Sequence, residues 1–211
     1  MVLPLMKNIK NYLQKQDELL GEYLNLRPAI EVTANHNISL FQALTKSIVS
    51  QQLSGKAATT IFQRLVTNMG QSGTISPGKI AVCSPESLRA CGVSENKART
   101  IISTAREIVE NSIPDQAEME AMEDTDIINC LTKIKGIGRW TAEMILIFKL
   151  GRPNVMPVTD LGIQKGYALI FGLNSKPTPA MILDRSRLWE PYRSTVALHC
   201  WNAVDDVEWS L

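Results

Sequence analysis

Along most of this chain apolar residues recur at intervals of three and four, the pattern of helices with one buried face. Ile9 and Leu13, four apart, mark an amphipathic helix over 6–20. Residues 28–37 are turn-rich, with room for one short extended piece. Ser39 precedes an apolar-periodic run over 40–48 and is placed to cap it. A break at Leu53-Ser54-Gly55 separates that run from a helix over 56–69, and residues 70–78, rich in Gly, Ser and Pro, form a loop. Ser84-Pro85-Glu86 starts a short helix that Gly92 ends, and Ser94 caps the next, over 95–111. A helix over 124–131 leads into Gly136-Ile137-Gly138, and helices over 140–150, 160–171 and 191–204 follow. The expected fold class is all-α. Gly92-Val93-Ser94 faintly echoes Gly136-Ile137-Gly138, each an apolar residue between turn-formers, but the two do not make a repeat.

Composition narrows this only a little. The 211 residues suffice for one domain or two small lobes with a real core. A net charge of +1 gives no bulk attraction to nucleic acid, so any basic face must be local. Lys133, Lys135, Arg139 and Arg152 cluster where such a face is needed, although the same residues also suit ordinary solvated helix ends. Cys83, Cys91, Cys130 and Cys200 form no C-x-x-C pair and read as free thiols of a reducing compartment, neither a zinc nor an iron–sulfur site. No stretch reaches membrane-spanning length and no signal-peptide pattern opens the chain. The expectation is nuclear residence in a eukaryote and cytoplasmic residence otherwise.

The densest chemistry lies in residues 131–166. Paired glycines at 136 and 138 let the backbone turn tightly and bring its N–H groups close to a partner. The helix behind them presents its positive end to the same spot, which is how a phosphate is held without a large charge. Asp160 follows after Pro157 as a single carboxylate at a helix start. It is either an N-cap or a functional acid, and one residue can be both.

These residues carry a resemblance. Lys135-Gly136-Ile137-Gly138-Arg139-Trp140-Thr141-Ala142, Gly151-Arg152, Pro157 and Asp160-Leu161-Gly162 closely resemble the helix-hairpin-helix, Gly/Pro-rich, aspartate superfamily of DNA repair glycosylases. Within it the match is to the 3-methyladenine DNA glycosylase II branch, of the AlkA and yeast Mag type. Phe41-Gln42-Ala43-Leu44 through Ser47 to Ser54 looks like that family's minor-groove probing loop, Gly92-Val93-Ser94 with Lys97-Ala98 like its second helix-turn, and Trp189 to Ser194 like the start of its last long helix. A lone Gly-x-Gly is weak evidence, but the hairpin, an Asp about 20 residues on and the Pro-Tyr-Arg-Ser block in this order are specific.

The resemblance implies two lobes with a DNA cleft between them: a helical barrel over 40–150, and the termini, 1–39 and 151–211, packed together. It implies a monomer acting on damaged double-stranded DNA in base excision repair. Lys135, Gly136, Ile137, Gly138, Arg139 and Thr141 would hold the DNA backbone, with Na⁺ or K⁺ allowed at the hairpin carbonyls and no essential metal. Gln52, Leu53 and Ser54 would wedge into the base stack, and Trp140, Phe148, Lys149 and Trp201 would line a base pocket. The bland reading of those aromatic residues is core packing, and of the wedge loop a helix-helix turn. Asp160 would stabilise the oxocarbenium-like sugar and activate water for hydrolytic release of an alkylated purine. Trp140 stands where bifunctional relatives carry a Schiff-base lysine, so no lyase step is expected. Three departures favour the alternative, a lesion or abasic-site binder that excises nothing. Thr159 replaces a common second Asp. Ser54 makes a small wedge. Lys149 stands where small residues are usual, and its charge would oppose a cationic base by about 4 kcal/mol at 4 Å with an effective dielectric near 20, unless it snorkels to solvent.

Overall fold

In the computed structural model the backbone is described for residues 2–208 and the side chains for residues 8–205. Regular structure among them is helical, apart from one isolated bridge between Gln71 and Thr74. None of these helices is long and apolar enough to cross a membrane. The chain forms two compact units, Ala34–Leu150, and Met1–Thr33 together with Gly151–Leu211.

The terminal unit holds α1 (Val2–Gln16) and α2 (Glu18–Asn25). Where the sequence suggests one helix over 6–20, the chain breaks at Asp17, whose carboxylate caps α2 by accepting from Leu20 N at 3.3 Å. The break is hidden from periodicity because Leu13 and Leu20, seven apart, both reach the same core. Met6, at the start of the suggested helix, lies outside the residues whose side chains are described. Asp17 is buried, and Arg185 forks onto both its oxygens at 2.7 Å while Trp189 Nε1 donates to it at 3.0 Å. A buried carboxylate is tolerated only when paired and hydrogen-bonded in this way.

The intervening residues 34–150 form the other unit, with α3 (Leu40–Ser50), α4 (Gly55–Met69), α5 (Pro77–Ala81), α6 (Pro85–Arg89), α7 (Glu95–Val109), α8 (Gln116–Ala121), α9 (Asp124–Leu131) and α10 (Arg139–Phe148). Seven consecutive residues of α10, from Thr141 to Ile147, are buried, so this helix is the unit's centre. α3 packs against it, and buries Phe41, Leu44 and Ile48, each worth about 1.5–3 kcal/mol of burial. Ser39 caps α3 and Ser54 caps α4, while Ser94 stands at the N-cap of α7 without a side-chain hydrogen bond. Residues 28–37 adopt no regular element.

After Gly151 the chain returns to the terminal unit as α11 (Leu161–Ile170), α12 (Pro179–Ser186), a 3-10 turn (Arg187–Trp189) and α13 (Arg193–Glu208). α11 and α13 approach closely at Gly166, where a Cβ would overlap the Cys200 carbonyl. The shared core gathers Leu13, Leu20, Ile163, Tyr167, Trp189 and Cys200.

Candidate functional site

Asp160 is the N-cap of α11, its Oδ1 accepting from Ile163 N at 2.8 Å. The same oxygen accepts from Trp201 Nε1 at 2.9 Å, so a carboxylate at the head of one helix is oriented by an indole from α13. This contact requires Gly162. A Cβ there would stand 2.7 Å from Trp201 Cδ1, so the indole would have to shift, and 3.0 Å from Asp160 Oδ1, a tight contact. The segment leading to Asp160 is stitched from below. Ser194 Oγ donates to the Arg152 carbonyl at 2.7 Å and accepts from Val155 N at 2.9 Å, Arg193 Nε donates to Asn154 Oδ1 at 2.8 Å, and Gln164 Nε2 donates to the Val158 carbonyl at 2.9 Å. The Arg193-Ser194 pair thus anchors the turn that delivers the acid. No sequence signal beyond the Pro-Tyr-Arg-Ser block could have assigned that role.

The bond from Trp201 to Asp160 uses the edge of the indole, and the residue is half-buried. Thr159, beside Asp160, is exposed.

In the other unit the hairpin connects α9 to α10. Gly136 has φ +94°, and a Cβ there would overlap the Thr100 side chain on α7, so the turn needs glycine both for its conformation and for its seat. Ile137 is buried, and its N–H donates back to the Ile134 carbonyl at 3.0 Å. It pins the hairpin to the core, a correction to its expected backbone grip on DNA: that N–H is already used. Thr141 is buried, and its hydroxyl accepts from Gln51 Nε2 at 2.9 Å. The outward-facing members of the set are Lys135, Gly136, Gly138 and Arg139. Gly138 stands at the N-cap of α10 with extended backbone and supplies no capping side chain. Arg139 pairs with the buried Glu143 at 2.9 Å while its own side chain stays 73% exposed, which aims a cation outward from the hairpin.

The loop after α3 holds Gln52 at φ +56°, with Gln52, Leu53 and Ser54 all exposed. Ser54 is committed to Ala57 N as the cap of α4, so Gln52 and Leu53 are the side chains presented. Gln51, which sequence reasoning did not single out, joins this loop to the hairpin, since its Nε2 also donates to the Gly136 carbonyl at 3.2 Å.

Of the remaining pocket candidates, Trp140 is half-buried and Phe148 exposed. Lys149 is 1% exposed, with its ammonium donating at 2.6 Å to the carbonyls of Asn35 and Ile38. It neither snorkels nor offers a charge to an open pocket; it ties residues 35–38 down ahead of α3. Burial lowers its pKa from the usual lysine value, and Glu120 partly opposes this. Among the described residues no cluster of His, Cys, Asp or Glu could hold a metal ion.

Comparison with known proteins places these features in context. Residues 45–191 match the family described as HhH-GPD superfamily base excision DNA repair protein. The chain is 40% identical over 163 residues to "DNA-3-methyladenine glycosylase 1" of Schizosaccharomyces pombe, covering 76% of this chain and 71% of that protein. It is 32% identical over 162 residues to "Alkylbase DNA glycosidase-like protein mag2" of the same yeast, covering 76% of each. Its fold is similar to a solved S. pombe 3-methyladenine DNA glycosylase (Mag1) in complex with abasic DNA, with TM-score 0.84, 34% identity, and 92% and 95% of the two chains covered.

Proposed function

We propose that this chain, which belongs to the HhH-GPD superfamily of base excision DNA repair proteins, binds duplex DNA at alkylated or base-lost sites and hydrolytically removes alkylated purines with Asp160 as its catalytic carboxylate. The observation that carries the reading is the preset acid. Asp160 is held by a helix N-terminus and by Trp201 in a geometry that Gly162 alone permits. A cationic alkylpurine is already a good leaving group, so one fixed carboxylate suffices to stabilise the sugar cation and direct water. The hairpin supplies the complementary function. Its exposed glycine backbone, the N-terminal end of α10, Lys135 and Arg139 suit a phosphate. A monovalent cation at the hairpin would draw on carbonyls other than that of Gly136, which Gln51 engages.

The rival reading, a binder that excises nothing, draws on Lys149, Ser54 and Thr159. Lys149 is buried against two carbonyls, so that support falls away, whereas Ser54, spent as a helix cap, remains a weak wedge. Thr159 favours the binder as well.

The decisive experiment incubates wild type and Asp160→Asn with duplex DNA containing methylated purines and counts released base. Wild type should release 3-methyladenine, and the variant should lose at least about a hundredfold in rate while still binding an abasic analogue. Borohydride treatment on abasic DNA should trap no covalent adduct, since Trp140 stands at the position of the Schiff-base lysine. No release by folded, DNA-bound wild type would make the protein a binder.

A further inference from the structure

Three parts of the Ala34–Leu150 unit meet at one turn of α7. Lys97 reaches from that turn to the end of α3, where its ammonium donates to the carbonyls of Val49 at 2.9 Å and Gln51 at 2.6 Å. These carbonyls belong to the last turn of a helix and its cap, where acceptors lack intrahelical donors and a cation is favoured. Thr100, three residues along α7, forms the seat beneath Gly136 that no side chain could share. Gln51 closes the ring, its backbone carbonyl held by Lys97 and its side-chain amide donating to Gly136 O and Thr141 Oγ1. Directly after this anchored residue the chain turns left-handed at Gln52, a conformation that a non-glycine residue holds only when its surroundings impose it. Ser54 then fixes the far end of the loop as the cap of α4.

We propose that Gln51 and Lys97 are positioning residues that lock the Gln52–Leu53 tip to the hairpin, so that a hairpin seated on the DNA backbone carries the tip to a set depth in the duplex. This inference rests on the proposed function, since it takes the hairpin as the phosphate grip and the loop as the probe. It assigns Lys97 a role that its charge alone would not suggest. The ammonium holds the protein's own backbone and is not a phosphate contact. Its pKa is lowered by burial, in keeping with an ammonium withdrawn from water.

The test measures affinity for a duplex with a tetrahydrofuran abasic analogue and for the same duplex undamaged, across a salt series. The variants are Gln51→Ala, Lys97→Met, Lys97→Arg and Gln52→Gly/Leu53→Gly. Gln51→Ala and Lys97→Met should each cut the preference for the damaged duplex by about tenfold, the scale of losing a pair of side-chain hydrogen bonds or a charged donor. Affinity for undamaged duplex and the slope of log K against log salt should stay at wild-type values, because no phosphate contact is removed. Lys97→Arg, which keeps a donor fork at the α3 end, should recover most of the preference. Amide exchange at Leu53 in the free protein should quicken in Gln51→Ala, which reads the loop directly even if Lys97→Met does not fold. A flattened salt slope in Lys97→Met would make Lys97 a phosphate contact and overturn the proposal. Unchanged preference in Gln51→Ala, with the tip variant impaired, would remove the coupling and leave the probe. Unchanged preference in the tip variant as well would remove the loop from DNA recognition altogether.

Discussion

Gly162 lacks the one carbon that would part Trp201 from Asp160, and that absence is as much a component of the site as the carboxylate. Adding it in Gly162→Ala should push the indole away and release Asp160 Oδ1 from its second donor, leaving the Ile163 N–H as the contact that caps the helix. Overpacking of this kind costs about 1–3 kcal/mol of stability, and misplacing a catalytic group by about 1 Å costs on the order of a hundredfold in rate. The expected outcome is a folded protein that binds abasic DNA normally and excises alkylpurines about a hundredfold more slowly in single-turnover assays. Wild-type excision in that variant would show that Trp201 does not orient the acid. The importance of Asp160 was legible in the sequence as both helix cap and candidate acid, and the structure makes it a cap with a second donor. The need for Gly162 was not legible, because it arises from a residue 39 positions later in a helix whose rotation no local pattern specifies.

At the scale of elements, α3 is held at both ends by lysine ammonium groups. Lys149 binds carbonyls ahead of its start, and Lys97 binds carbonyls at its end. Helix α9 keeps the bounds its sequence suggests, 124–131, although Glu123 at its N-cap makes no side-chain hydrogen bond. Periodicity does not reveal the short helices α5 and α8, whose five and six residues complete too few turns to show a period. The capping box of Asp115 and Glu118 was the one available sign for α8. Lys149 illustrates the same limit in a side chain. Its position in sequence suggests a pocket obstructed by charge, so that Lys149→Ser should open the pocket and raise activity. Its actual partners, two carbonyls, reverse that expectation. Lys149→Ser should orphan both acceptors and empty the space of a long side chain, destabilising the protein by about 2–4 kcal/mol without raising excision. Chemical denaturation together with base release checks both halves. A gain in excision with unchanged stability would restore the obstructed-pocket reading.

At the scale of the whole molecule, three buried titratable groups of the terminal unit bound the pH range in which the chain is stable. His199 is buried, and burial first, then the charges of Lys10 and Arg27, lower its pKa from 6.5 to about 4. The unfolded chain therefore takes up a proton at His199 as pH falls below 6.5, while the folded protein does so only near 4. Stability present above pH 6.5 is lost across that window, by about 3 kcal/mol. Asp17 acts lower on the scale. Burial pushes its carboxyl up, but the hydrogen bonds from Arg185 and Trp189 outweigh this and hold it below 3.8, so its contribution persists until more acid conditions. On the alkaline side, burial and then the nearby charge of Asp160 push the Cys200 thiol from 9.0 up to about 12. The unfolded thiol ionises first, so stability falls by about 4 kcal/mol as pH rises from 9 towards 12. The expected profile of denaturation midpoint against pH is a plateau between about 6.5 and 9 with two separable limbs. His199→Gln should flatten the limb between pH 6.5 and 4 and leave the alkaline one, while Cys200→Ala should do the reverse. An acid limb that survives in His199→Gln would place the proton uptake on the carboxylates, and His199 would then be an ordinary buried side chain with no part in setting the working pH.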